Sequence, residues 1–111
     1  MALSDLLVDA GPSVYYDSAF RAVLEDHLTL LRERYSSLLI IEPDEAYQWR
    51  GDLYGLLHAK NEPRHMHWLI MRLNQFTSPV QYHEDVLTLL KPDYTFVGQI
   101  LQSHQSTTLI S

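Results

Sequence analysis

The chain has no cysteine among its 111 residues, and this absence removes several kinds of chemistry together. Disulfide bonds, thiol nucleophiles and zinc–thiolate sites all require the cysteine sulfur. Glycine is also scarce, with four residues that form neither a G-x-G-x-x-G sequence nor a Walker loop. No serine lies in a G-x-S-x-G elbow. The sequence therefore predicts neither a thiol-based site nor a glycine-rich loop for a nucleotide phosphate.

Basic residues and long apolar runs are scarce as well. Eight Lys and Arg stand against 14 Asp and Glu, for a net charge of −6, and an acidic surface repels a nucleic-acid backbone. The longest apolar runs, Leu38–Ile41 and Trp68–Met71, are far short of the roughly 20 residues that cross a bilayer. Asp5 and Asp9 stand where a signal peptide would be basic and then apolar. We expect a soluble protein, without an export signal, that binds neither nucleic acid nor membrane.

Apolar residues make up 46% of the chain, which is enough for one modest core in a chain of this size. We see no repeat, linker or low-complexity block, and so we predict one helical domain over residues 17–101. Residues 1–16 are predicted to be a flexible N-terminal arm, since Gly11 and Pro12 separate two small apolar clusters within it. Residues 102–111 are predicted to be a flexible, mainly polar C-terminal tail.

Hydrophobic spacing predicts the first helix, which Asp17 or Ser18 caps and which runs to about Tyr35. Arg21, Glu25 and Arg32 lie off its apolar stripe. The stripe consists of Phe20, Val23, Leu24, His27, Leu28, Leu31 and Tyr35.

Prolines and turn residues divide the chain after Tyr35 into further elements. Ser37–Ile41 reads as a short buried strand or extended stretch that Glu42-Pro43 closes. A second helix ends near Lys60, with a kink or break predicted at Gly51. Pro63 opens a third helix, which Asn74 is expected to close in a left-handed conformation, and Pro92-Asp93 opens the last. The predicted fold class is mainly α, a small bundle of about four helices with one extended segment.

Three histidines, His58, His65 and His67, raise the question of a metal site. His65 and His67 are two residues apart, which places them on nearly opposite sides of a helix. Helical metal pairs are spaced three or four apart. Adjacent carboxylates such as Asp44-Glu45 also diverge, whereas acid–base catalysis needs two that converge. We therefore assign no catalytic, cofactor-binding or metal-ligating residue and expect that the chain is not an enzyme.

Aromatic residues are abundant, with seven tyrosines, two tryptophans and three phenylalanines. Tyr and Trp combine a large apolar area with a polar tip, and both are enriched at protein interfaces. Trp49, Tyr54, Trp68 and Tyr82 cannot all point into so small a core. We expect at least two of them to face another protein.

The middle of the chain, Pro43–Tyr82, resembles a known family in the order of its motifs. The motifs are P-D-E-A, D-L-Y-G-L-L, P-x-x-M-H-W-L-I-M-R-L-N and F-T-S-P-x-x-Y. This order is similar to that of the baseplate wedge subunits of contractile-tailed bacteriophages and related small tail proteins. The matching positions are Leu53, Tyr54, Gly55, Pro63, Trp68, Leu69, Ile70, Asn74, Pro79 and Tyr82.

The resemblance implies a structural role, as a small adaptor held between larger virion subunits. Its partners would be other tail or baseplate proteins, in a symmetric assembly that contains many copies of the chain. The chain would be in the host cytoplasm before assembly and in the tail or baseplate of the virion afterwards. The interface residues predicted here are Trp49, Tyr54, His65, Trp68, Arg72, Asn74 and Tyr82. Two alternatives stay open: a small metal-dependent enzyme that uses His58, His65 or His67, and a cellular adaptor that binds one partner reversibly.

Overall fold

A computed structural model describes residues 13–110, with side chains up to residue 105. The chain is mainly α-helical, as predicted, but the helices are shorter and more numerous than in a four-helix bundle. Most of the predicted N-terminal arm, residues 1–12, lies outside the described residues. The elements are α1 (Ser18–Asp26), α2 (Leu28–Arg34), β1 (Ser36–Ile40), α3 (Pro43–Gln48), α4 (Leu53–Ala59), a 3-10 turn (Arg64–Met66), α5 (His67–Leu73), a second 3-10 turn (Pro79–Gln81), β2 (Thr88–Pro92) and α6 (Tyr94–Ile110).

The predicted first helix is two helices, because His27 interrupts it. The Nδ1 atom of His27 lies 2.8 Å from the carbonyl oxygen of Val23, the oxygen that the backbone N–H of His27 would bind in a continuous helix. That N–H donates instead to the carbonyl of Leu24, at 3.0 Å. The single predicted helix is therefore wrong at this residue, while the predicted cap is confirmed, since the Asp17 carboxylate accepts from the N–H of Phe20 at 3.3 Å.

The predicted break at Gly51 is confirmed, and it separates α3 from α4. Gly51 has a φ of +77°, a conformation that glycine adopts without steric cost. Its N–H donates to the carbonyl of Tyr82 at 2.7 Å. The carboxylate of Asp52 then caps α4 by accepting from the N–H of Gly55 at 3.0 Å.

The predicted extended segment is strand β1, but the prediction that it is buried is wrong, because Leu38 and Ile40 are exposed. Its partner β2 was not predicted. The two strands pair antiparallel with Leu38 opposite Leu90 and Leu39 opposite Leu89. The last residue of β2 is a proline, and a proline in the sequence argues against predicting a strand there. Pro92 is tolerated because it lies opposite Ser36 at a position whose N–H would not face β1.

Asn74 joins α5 to the sheet. Its Nδ2 donates to the carbonyls of Ile70 (2.7 Å) and Leu90 (2.8 Å), and its Oδ1 accepts from the N–H of Leu90 (2.8 Å). The side-chain amide thus pairs with both backbone groups of Leu90, as a residue of a third strand would. The prediction that Asn74 adopts a left-handed conformation is wrong, because its φ is −92° and Gln75 takes the positive φ of 67°.

The core lies where α1, α2, α4, α5, β2 and the start of α6 meet. The predicted inward faces are confirmed for the third helix, whose Met66, Leu69, Ile70 and Leu73 are all buried. Trp68, on the same helix, is only half-buried. Burial of these side chains provides the main driving force for folding. Other core residues are Phe20, Leu24, Leu31, Ile41, Ala46, Leu53, Leu56, Leu57, Leu89 and Val97.

Helix α6 is longer than predicted. It begins after Asp93, whose carboxylate accepts from the N–H of Thr95 at 2.9 Å, and it continues to Ile110. The predicted tail therefore starts inside a helix. No helix among residues 13–110 combines the length and apolar character needed to cross a membrane.

The hydrogen bonds of the Asn74 side chain with Ile70 and Leu90, which we call the Asn74 clamp, should contribute to stability. Replacing Asn74 by alanine leaves the N–H and carbonyl of Leu90 without partners in a partly buried position. We expect Asn74→Ala to lower the free energy of unfolding by about 2–3 kcal/mol, measured by urea denaturation. The matched control is Gln99→Ala on the exposed side of α6, where we expect a change below about 0.5 kcal/mol. Equal effects of the two substitutions would contradict the clamp.

Candidate functional site

A small recess opens where the start of α1, α4, the first 3-10 turn and α5 meet. Its volume is about 200 Å³. We call it the Trp68 pocket, and its lining combines three aromatic residues, two arginines and one histidine. The lining residues are Tyr16, Arg21, Tyr54, Arg64, His67 and Trp68.

Arg21 is held across this pocket. Its Cζ lies 4.6 Å from the ring centroid of Trp68 and 5.5 Å from that of Tyr16, so the guanidinium makes cation–π contacts with both. Its Nε donates to the carbonyl of Tyr15 at 2.9 Å. The guanidinium is therefore fixed in place while its two terminal nitrogens make no hydrogen bond within the described part of the chain.

Tyr54 and His67 form the inner wall of the Trp68 pocket. The hydroxyl of Tyr54 lies 3.7 Å from the sulfur of Met71, and its ring centroid is 5.6 Å from that of His67. Burial raises the pKa of the Tyr54 hydroxyl, although the positive charge of Arg21 acts in the opposite direction. The Tyr54 side chain is accordingly a neutral aromatic surface.

His67 is buried and bound to the backbone. Its Nε2 lies 3.0 Å from the carbonyl oxygen of Glu62, so that nitrogen carries the proton in the neutral ring. Burial lowers the pKa of His67, and the bond to Glu62 opposes that shift only in part. Burial also lowers the pKa of His65. Both imidazoles are therefore held in the neutral form.

The Trp68 pocket is positively charged on an acidic protein. Neither Arg21 nor Arg64 forms an ion pair with a carboxylate among residues 13–105, whereas Arg72 binds Glu25 and Lys60 binds Glu45. The chain as a whole carries a net charge of −6. Two arginines without a carboxylate partner, beside partly exposed aromatic rings, are suited to bind a group that is anionic, aromatic or both.

Three of the seven predicted interface residues are engaged inside the protein. Tyr82 is only 1% exposed and its hydroxyl donates to the carbonyl of Val86 at 2.9 Å, so its place on an open surface was predicted wrongly. Arg72 donates to the Glu25 carboxylate at 2.7 and 3.3 Å. Asn74 is the clamp described above. The physical reason is shared, since each polar group finds its hydrogen-bond partner within the same chain.

The other four predicted residues are partly exposed. Tyr54 and Trp68 line the Trp68 pocket. His65 lies beside it with its ring centroid 4.8 Å from that of Tyr15. Trp49 packs over Gly55, where a Cβ atom would come within 2.7 Å of the indole ring. The structure thus brings together Tyr54 and Trp68, with His65 nearby.

The three histidines of the metal alternative do not converge. His58 is exposed, His65 packs on Tyr15, and the Nε2 of His67 is bound to a carbonyl. Among residues 13–105, no three His, Asp or Glu side chains lie in an arrangement that could hold a metal ion.

A second polar cluster is built around the buried carboxylate of Glu62. The hydroxyl of Tyr94 donates to its Oε2 at 3.1 Å, and the ammonium of Lys91 lies 3.0 Å from its Oε1 without hydrogen-bond alignment. Burial, with Glu62 as a further cause, raises the pKa of the Tyr94 hydroxyl. These contacts tie the turn after α4 to β2 and α6, and we interpret the cluster as structural.

Tyr16, Arg21 and Arg64 complete the Trp68 pocket and were not among the predicted site residues. Tyr16 was assigned to the arm, and Arg21 lies off the apolar stripe of its helix. The contact between Arg21 and Trp68 joins residues far apart in sequence. No local spacing indicates it, although the proximity of Tyr15, Tyr16 and Arg21 to one helix start is a weak signal.

A larger recess of about 450 Å³ lies between α1 and α6. Its lining combines apolar side chains with histidine, glutamine and serine, and it contains no Arg, Lys, Asp or Glu. Its residues are Val23, His27, Phe96, Gln99, Ile100, Ser103 and His104.

No protein-family model, curated protein or solved structure matches this chain.

The two neutral histidines predict how stability depends on pH. Their pKa values are lower in the folded state than the ordinary 6.5, so the unfolded chain takes up protons first as the pH falls. The contribution of the two neutral histidines to the free energy of unfolding is therefore complete well above pH 6.5 and is lost progressively below it. We expect the free energy of unfolding to fall as the pH is lowered from about 7 to about 5, measured by urea denaturation.

Substitution isolates the part that His67 contributes. His67→Gln keeps a donor for the Glu62 carbonyl and removes the titrating group, so the pH dependence should become shallower. His83→Gln, on the surface, controls for the loss of one imidazole. A His67→Gln profile as steep as that of the unsubstituted protein would contradict this assignment.

Proposed function

We propose that the chain is a structural subunit of a bacteriophage tail or baseplate, an adaptor that holds a neighbouring protein at the Trp68 pocket. The observation that carries the proposal is this pocket, in which Arg21 is held against the Tyr16 and Trp68 rings and forms no ion pair with a carboxylate among residues 13–105. The resemblance of Pro43–Tyr82 to wedge subunits supports the setting. Two of its matched residues, Tyr54 and Trp68, line the pocket.

The dimensions of the pocket favour a side chain of another protein over a cofactor or substrate. Pockets for small molecules usually measure about 300–1,000 Å³, and this one measures about 200 Å³. Tyr, Trp and Arg are the residues that contribute most to the binding energy of protein interfaces. A single residue from a partner would fill such a space.

Charge suggests which residue enters. Arg21 and Arg64 both line the pocket, and neither is paired with a carboxylate in residues 13–105. A carboxylate bound by arginine makes strong, directional hydrogen bonds. Because Arg21 is already fixed between two rings, little side-chain freedom is lost when it binds. The partner segment is therefore expected to present Asp or Glu, with an apolar or aromatic neighbour against Trp68.

The remaining matched residues explain why the motif has its particular form. Gly55 is required because Trp49 and the Asp52 carboxylate leave no room for a Cβ atom. Asn74 clamps α5 to β2, and the buried Tyr82 accepts the Gly51 N–H at its carbonyl. These residues hold α4 and α5 in position, and the two helices then present Tyr54 and Trp68.

A cellular adaptor that binds one partner reversibly would use the same pocket, and stoichiometry separates the two functions. Under our proposal, mass spectrometry of purified particles of the phage that encodes the chain finds it in a fixed ratio to other tail proteins. The ratio should match the symmetry of the tail. Complete particles that lack the chain would contradict the proposal.

A pair of arginine substitutions tests the role of the pocket. Arg64→Glu reverses an exposed charge in the pocket, and we expect it to reduce incorporation into particles by at least about tenfold, because a partner carboxylate would now be repelled. Arg50→Glu makes the same change on an exposed arginine that stacks on Tyr47, outside the pocket. It should be incorporated normally. Trp68→Ala, checked for folding by circular dichroism, should likewise fail to be incorporated.

Equal incorporation of the Arg64→Glu and Arg50→Glu proteins would show that the pocket does not contact the partner. Normal particle assembly with a folded Trp68→Ala protein would show the same.

A further inference from the structure

Strand β1 has one free edge, and the hydrogen bonds identify which residues face it. The N–H of Asp93 donates to the carbonyl of Tyr35, and the N–H of Ile41 donates to that of Leu87. Residues 35 and 41 therefore face β2, and in an antiparallel ladder every second residue between them does too.

The intervening residues, Ser36, Leu38 and Ile40, direct their N–H and carbonyl groups away from β2. Two observations agree with this assignment. Leu90, the partner of Leu38, uses its own backbone groups to bind Asn74 on the far side. Pro92, the partner of Ser36, has no N–H to give. The outward groups of Leu38 and Ile40 make no hydrogen bond within the described residues.

This edge also lacks the usual protection. Natural edge strands carry lysine, proline or a bulge that prevents pairing with another chain. Residues 36–40 read S-S-L-L-I, without charge or proline. Leu38 is 62% exposed and Ile40 is 55% exposed, on the same face of the strand.

Charges flank the strand in a complementary way. When two copies of β1 pair antiparallel about a two-fold axis through Leu38, all five residues of each strand are matched. In that register the start of each strand, next to Arg34 at the end of α2, lies beside the end of the other strand, next to Glu42 at the start of α3. Both residues are exposed. A parallel arrangement would instead bring like charges together.

We propose that the free edge of β1 binds a second copy of this chain, with Leu38 on the two-fold axis and two Arg34–Glu42 ion pairs at the ends. The product is a continuous four-stranded antiparallel sheet, in the order β2, β1, β1 of the second copy and β2 of the second copy. Three opposed pairs (Leu38 with Leu38, and Ser36 with Ile40 twice) each exchange two bonds, or about six new backbone hydrogen bonds. This surface is separate from the Trp68 pocket, so either proposal can fail without the other.

Sedimentation equilibrium from micromolar to near-millimolar concentration tests self-association. The full chain should form a dimer. Leu38→Lys places two ammonium groups beside each other at the axis and should raise the dimer dissociation constant at least about tenfold. The matched control is Val80→Lys, a site that is 70% exposed and lies outside the strand, which should leave the constant unchanged.

Exchanging the flanking charges tests the register. Arg34→Glu and Glu42→Arg should each weaken the dimer, and the protein that carries both substitutions should regain most of the affinity. Circular dichroism of each variant confirms that it is folded, since Glu42 adjoins the start of α3.

Amide hydrogen exchange locates the contact. On dimer formation the amides of Leu38 and Ile40 should become protected, while that of Leu39, already paired with Leu89, should not change. A chain that stays monomeric at every concentration would overturn the proposal. A dimer that is unaffected by Leu38→Lys, or one that leaves the Leu38 amide unprotected, would also overturn it.

Discussion

The amide of Asn74 is the interaction on which the arrangement of the molecule depends. A two-stranded sheet is only marginally stable by itself, so β1 and β2 need a further partner. Asn74 provides it by binding both backbone groups of Leu90 while its remaining N–H binds the carbonyl of Ile70. One side chain thus satisfies backbone groups on α5 and β2 and fixes the distance between helix and sheet.

The position of the Trp68 pocket follows from that constraint. With α5 held against β2, Leu69, Ile70 and Leu73 face the core, whereas Trp68 is only half-buried and lines the pocket. Arg72, on the same helix, binds Glu25 and so brings α1 alongside. This contact places Arg21, one turn earlier on α1, over the Trp68 ring. The surface that we propose as a binding site is therefore a product of the same contacts that stabilise the fold.

The sequence predicts the features that depend on neighbouring residues. The cap at Asp17, the break at Gly51, strand β1 and the buried face of α5 all follow from local patterns, and the structure has each of them. It does not predict features that depend on distant partners.

Strand β2 was missed because its pairing residues lie much earlier in the chain. The roles of Asn74 and Tyr82 were misjudged because an isolated sequence does not show which buried group a polar side chain will meet. The break at His27 was missed because the His27 imidazole competes with the backbone N–H for a helix carbonyl. The spacing of hydrophobic residues does not indicate such competition. Tyr54 and Trp68 were selected as interface residues, but Arg21, which gives the pocket its charge, was not.

The central claim is that the Trp68 pocket is covered by another protein when the chain performs its function. A structure of the assembled tail or baseplate that contains this chain tests the claim most directly. The account predicts that a segment from a neighbouring subunit enters the pocket, with an Asp or Glu carboxylate at Arg21 and a side chain packed on Trp68. An assembly in which Tyr16, Arg21 and Trp68 remain open to solvent would contradict it.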